Sequence, residues 1–269
     1  MTVQGFGGAA LFVALVALPS LALRPQDTEA IGETPPVPAA KTVVVELFTS
    51  QGCSSCPPAD RLLSELSERE PSIIALAFHV DYWNYIGWTD PFSSSAWSER
   101  QRRYGTALGA DRIYTPQIIV NGRRHAVGSD RREVTRLIEE ATAVPALATL
   151  DVSVTRLGGQ QLSVRMSAAF EQHPAVERLS AWLAIVEDGL ETPVTRGENA
   201  HRTLENNRVV RQLLAAGTFD ARSGSLSGHI ELDLDPAWTE ENLSLTAFLQ
   251  DDETLGVHAA ATAVIPARL

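Results

Sequence analysis

The chain has 269 residues, 44% of them hydrophobic, a mean hydropathy of −0.04, a formal net charge of −11 and a pI near 5.0. A chain this long supports one large domain or two modest ones, each with a real core. Its acidic balance argues against nucleic acid or an anionic membrane surface as the main partner, because neither attracts negative charge.

In chain order, Ala9–Leu18 is a short apolar run followed by Pro19 and Ser20-Leu21-Ala22. Small residues at Ser20 and Ala22 predict a signal peptide over 1–22, even though Met1–Gly8 carries no Lys or Arg. Read the other way, Phe6–Leu23 is an uncleaved anchor; Ala9–Leu18 alone falls short of the roughly 20 apolar residues of a membrane span. Cleavage would leave no membrane span and a periplasmic or secreted protein. Residues 23–41, with Pro35-Pro36-Val37-Pro38, read as a Pro-rich linker.

Thr42–Phe48 is an apolar run that suits the centre of a sheet. Gln51-Gly52 breaks it, and Cys53-Ser54-Ser55-Cys56 follows. Ala59, Leu62, Leu63 and Leu66 then form one stripe of a helix ending before Pro71, and Ile73–Phe78 is a second apolar strand. Tyr82, Trp83, Tyr85, Trp88, Phe92 and Trp97 crowd the loop beyond it, either as a substrate-facing rim or as a satellite core. Ser98–Leu108 reads as a helix with Arg100, Arg102 and Arg103 facing solvent. Next come Tyr114-Thr115-Pro116, a strand over Gln117–Val120, the hairpin signal Asn121-Gly122, a returning strand to Val127, and a helix capped by Asp130 with Glu133. Beyond Pro145 short strands recur at Leu150–Thr155, Leu162–Met166, Leu179–Val186, Leu226–Leu234, Leu243–Leu249 and Val257–Val264, which predicts an antiparallel sandwich. Asn207–Leu214 fits helix and strand equally.

The chain has two cysteines, three positions apart. A disulfide closing so short a loop restrains the unfolded chain little, so the pair suits chemistry better than stability. At a strand-to-helix turn the first thiol meets the helix N-terminus, which favours its thiolate; the second can attack a mixed disulfide made by the first. The competing readings are a structural disulfide and a soft Cu(I) site using Cys53, Cys56 and His79; a zinc site would need further ligands. No Gly-rich phosphate loop, GxSxG elbow or HExxH occurs, and nothing in the sequence demands a cofactor.

The order strand, CxxC, helix, strand, helix, X-Pro, strand, strand, helix resembles the thioredoxin fold. More narrowly, Val45–Asp60, Phe78–Trp83 and Tyr114–Gln117 resemble a bacterial secreted family with thioredoxin-like structure, catalogued as domain of unknown function 1223; the match runs from about Thr42 to the C-terminus. The resemblance implies that Pro116 is a cis-proline beside the dithiol, with Thr115 before it docking substrate backbone. It also implies that Glu46 accepts the proton of the second cysteine. Tyr114, His79 and Trp83 are expected at the substrate side. The expected fold is therefore an α/β thioredoxin-like domain (42–143) followed by an all-β, sandwich-like C-terminal domain (148–269). The expected function is that of an exported thiol–disulfide oxidoreductase in which Cys53 attacks and Cys56 resolves. Its partners would be a disulfide-containing protein or thiol substrate and a redox partner. The rivals are a Cu(I)-binding protein built on the same cysteines and an interaction module with a vestigial CxxC.

Overall fold

Val43–Thr49 (β1) is buried at every position, as its unbroken apolar run requires of a strand covered on both faces. The computed structural model describes residues 1–2, 42–110, 112–170, 176, 178–220 and 225–268. The expected signal peptide and linker therefore lie outside the described residues, apart from Met1 and Thr2, and contacts gather Pro38–Leu269 into one unit. After β1 come Pro57–Arg69 (α1), Ile73–His79 (β2), Ser95–Ala107 (α2), Gln117–Val120 (β3), Arg124–Val127 (β4) and Arg131–Ala143 (α3). Each follows its sequence signal within a few residues. The Asn121-Gly122 turn has positive φ at both residues, as a tight hairpin demands, and the Asp130 side chain accepts from the Glu133 amide.

The second half adds Ala148–Gly158 (β5), Gln161–Phe170 (β6), Arg178–Glu187 (β7), Leu190–Val194 (β8), Arg202–Asn206 (β9), Val209–Asp220 (β10), Ser225–Asp233 (β11), Leu243–Asp251 (β12) and Val257–Val264 (β13). The ambiguous Asn207–Leu214 stretch is thus strand, and the hairpin β8–β9 is an element that carries no clear periodicity in the sequence.

The expected fold class is not what forms. The protein is mostly strand, 47% against 21% helix, with three α-helices among the described residues. An α/β thioredoxin-like domain followed by a β domain does not describe it. Instead one mixed sheet of eight strands runs β13-β12-β7-β10-β2-β1-β3-β4, drawing on both halves of the chain. The joint is parallel pairing of β10 with β2, Val209 against Ala77, with the Ala77 amide donating to the Arg208 carbonyl at 2.7 Å. An unpaired edge of β2 would leave backbone groups of a fully buried strand without partners, and β10 supplies them. Local patterns specify strands but carry no record of which distant strand completes an edge.

Alternation along β1 decides what each face receives. Val43, Val45 and Leu47 meet α1 and α3 in one core with Ala59, Leu62, Leu63, Val134 and Leu137. Val44 and Phe48 face the other way, into a core shared by α2 (Trp97, Tyr104) and by Ala184, Val186 and Phe248 of the second half. A third core lies between the small sheet β11-β6-β5 and the strands β7 and β12.

Candidate functional site

The turn after β1 delivers Cys53 and Cys56 to the start of α1, with Cys56 at the cap position and Pro57 and Pro58 opening the helix. Proline is tolerated there because the first amides have no intrahelical acceptor. The two sulfurs lie at disulfide distance, with Cα atoms 5.4 Å apart, and both residues are buried, at 1% and 0% exposure. Gly52 lets the turn close against its surroundings: a Cβ there would stand 3.1 Å from Cβ of Trp83.

Several expected residues converge on this turn. The Thr115–Pro116 bond is cis, and a Cβ on Gly128 would meet Pro116, Ala59 of α1 and Leu47 of β1, so the proline loop lies against the base of the dithiol helix. Trp83 bridges the two loops, packing on Gly52 and donating its Nε1–H to Thr115 Oγ1 at 2.7 Å. Tyr114 pairs its hydroxyl with His125 Nδ1 and its carbonyl accepts from Gln101, which ties the proline loop to α2. The aromatic cluster divides between the two readings of it: Tyr82 and Trp83 pack on the core, whereas Tyr85 stands in solvent.

Two expected residues are held by other partners. Glu46 shares the parity of Val44 and Phe48, so it points to the α2 face, away from α1 and the cysteines. There Arg100 holds both carboxylate oxygens, at 2.7 and 3.0 Å, Tyr104 donates to Oε1 at 2.5 Å, and Gln250 of β12 completes the group. Arg100, expected in solvent, is buried among the rings of Phe78, Tyr104, Trp182 and Phe248. Glu46 is thus engaged in joining the two halves of the sheet. His79 is buried at 1% exposure. Its Nδ1 bonds Asp90 at 2.7 Å, and among the described residues no three of His, Cys, Asp and Glu gather as a metal-ion site.

The residues that the sequence did not flag are those that fasten the motif. Asp90 Oδ2 accepts from the Gln51 amide as well as from His79. Gln51 is held in turn by Trp88 and by Asn206. From the loop between β8 and β9, Asn199 donates to the carbonyls of Gln51 and Cys53, at 2.9 and 3.0 Å, and Glu198 accepts the Ser54 amide at 2.9 Å. Hydrogen bonds from Ser54 hold the Glu198 carboxyl below the usual range, leaving a negative charge beside the motif. The Ser55 hydroxyl, 3.3 Å from Cys53 Sγ, is the polar side chain at the first sulfur. Asn199→Ala leaves two buried carbonyls without this donor. We expect a loss of about 1–3 kcal/mol in denaturant unfolding, read with the disulfide intact.

A further unflagged residue sits one helical turn beyond Cys56. Asp60 donates its amide to the Cys56 carbonyl at 3.1 Å, and burial raises its carboxyl from 3.8 to about 6. The signal for it was available, since i and i+4 share a helix face.

A family model described as "Protein of unknown function (DUF1223)" matches residues 44–250. The chain belongs to the DUF1223 family. Among solved structures, this DUF1223 chain is similar to protein AGR_C_4864 from Agrobacterium tumefaciens, at 26% identity, a TM-score of 0.65, and coverage of 84% of this chain and 96% of that one. HBP35 of Porphyromonas gingivalis is similar at 14% identity and a TM-score of 0.61, over 84% of this chain and 76% of that one, a likeness of fold alone. Comparison with curated protein sequences returns no match. Among the described residues no helix is long and apolar enough to cross a membrane.

Proposed function

We propose that this protein is a thiol–disulfide oxidoreductase acting outside the cytoplasm through Cys53 and Cys56. The observation that carries the reading is the Cys53–Cys56 pair itself, at disulfide distance on a strand-to-helix turn, with Pro116, Thr115 and Trp83 assembled against it. A disulfide closing a loop this short does little for stability, so two sulfurs placed three positions apart favour chemistry. In this reading Cys53, whose Sγ lies 3.3 Å from the hydroxyl of exposed Ser55, attacks the substrate disulfide, and Cys56, buried like it, resolves the mixed disulfide. Thr115 and Tyr114 line the approach. The substrate is a protein or small-molecule disulfide, and export suits the persistence of such bonds.

The burial of Cys53 sets a condition on access. The loop from Thr195 to His201 is tied over the motif by Asn199 and Glu198, so a bulky substrate reaches the sulfur when that loop shifts. The test is exchange with glutathione. Oxidised protein should equilibrate with glutathione at a defined potential, and Cys53→Ser should abolish the mixed disulfide while Cys56→Ser traps it. A pair that stays oxidised at all glutathione ratios and never forms the mixed disulfide would overturn the assignment.

A further inference from the structure

Three buried polar atoms lack a hydrogen-bond partner among the described residues: Thr49 Oγ1, Asp60 Oδ1 and His79 Nε2. They belong to one place. Thr49 and His79 are paired across β1 and β2, and both share the parity of the residues that face α1. Asp60 lies in the first turn of α1, over those strand ends, with the Thr49 hydroxyl close to it but short of hydrogen-bond geometry. Side chains on a helix lean toward its N-terminus, so the Asp60 carboxyl leans toward the Cys56 side of the turn.

An unpaired buried polar atom costs about 1–3 kcal/mol, and three in one cluster beside a dithiol call for a reason. We infer that Asp60 is the proton acceptor of Cys56, with His79, anchored by Asp90, as the residue that positions and tunes it. This assignment rests on the redox reading above. In the resolving step the Cys56 thiol passes its proton to the Asp60 carboxylate, and the thiolate attacks Cys53 Sγ. The Cys53–substrate bond breaks, the Cys53–Cys56 bond forms, and the substrate leaves as a thiolate that takes up a proton. The dithiol is oxidised by two electrons and the substrate disulfide is reduced; the reverse sequence oxidises a substrate dithiol.

The electrostatics agree with the geometry. Burial raises Asp60 to about 6, with His79 and Thr49 lowering it, Asp90 raising it and Arg61 lowering it. At neutral pH it is therefore a carboxylate close to the point of accepting a proton. Burial pushes His79 down, but Asp90 and Asp60 more than offset this and hold it above its usual range, against Arg211 of β10. Burial pushes Asp90 up, and His79 with the amides of Gln51 and Phe92 holds it below the usual range.

The experiment follows the mixed disulfide formed when reduced protein meets glutathione disulfide, by rapid acid quench and mass spectrometry across pH 5 to 9. Asp60→Asn should slow its decay by about tenfold or more near neutrality, with formation at Cys53 unchanged. His79→Gln keeps the carboxyl but removes the cation that lowers it, so the inflection in decay rate should move to higher pH. Decay in Asp60→Asn with the wild-type rate and pH profile would overturn the assignment while leaving the redox reading intact. A wild-type protein that forms no mixed disulfide would overturn both.

Discussion

Arg100→Leu should destabilise the protein by about 3–5 kcal/mol, the cost of leaving a buried carboxylate without its cation. Glu46 is fully buried and its oxygens are held by Arg100 and Tyr104, so removal of the guanidinium strands a charge at the centre of the sheet. Arg100 also contacts Gln250 on β12 and lies over Phe248 of the same strand, while Glu46 belongs to β1. The pair therefore fastens the two halves of the sheet where strand pairing between them is the β2–β10 contact. The double variant Glu46→Leu/Arg100→Leu should recover much of the loss, because replacing both members with apolar groups removes the unpaired charge. Equilibrium unfolding in denaturant reads both. A single-variant loss below about 1 kcal/mol would show that the pair is dispensable.

Asp60→Asn should gain stability over the wild type as pH rises. Burial holds the folded Asp60 near 6 against 3.8 for an exposed carboxyl, so between those values the folded protein keeps a proton that the unfolded chain has released. Stability of the wild type therefore falls as pH rises through this window, and asparagine has no such titration. The difference between variant and wild type should grow by about 3 kcal/mol from below pH 4 to above pH 6. Thermal unfolding of the oxidised proteins at several pH values checks it. A difference that does not change with pH would mean that the carboxyl is solvated. A site that lowers stability near neutrality is the usual mark of groups kept for chemistry.

Much of the architecture around the cysteines was legible. Hydrophobic periodicity placed β1, α1 and β2, Asn121-Gly122 marked the hairpin, and Asp130 marked the start of α3, because each is set by contacts within a few residues. The cysteine pair was legible for the same reason, since spacing alone brings the sulfurs together. The resemblance implies a role for Glu46 beside the cysteines, whereas strand parity, shared with Val44 and Phe48, points it to the opposite face. Asp60 lies four residues after Cys56, a spacing that places both on one helix face. Asn199 and Glu198 had no local signal at all, since their partners lie far along the chain.

The sequence by itself determined the two sulfurs, the turn that presents them and the proline loop that follows, all products of short-range geometry. Tertiary structure alone decided that the second half enters the same sheet through β10 and β2, and that a hairpin loop from that half ties down the motif. The physical reason is that strand edges and buried polar atoms seek partners wherever the chain can bring them, and a local pattern records the need but not the partner.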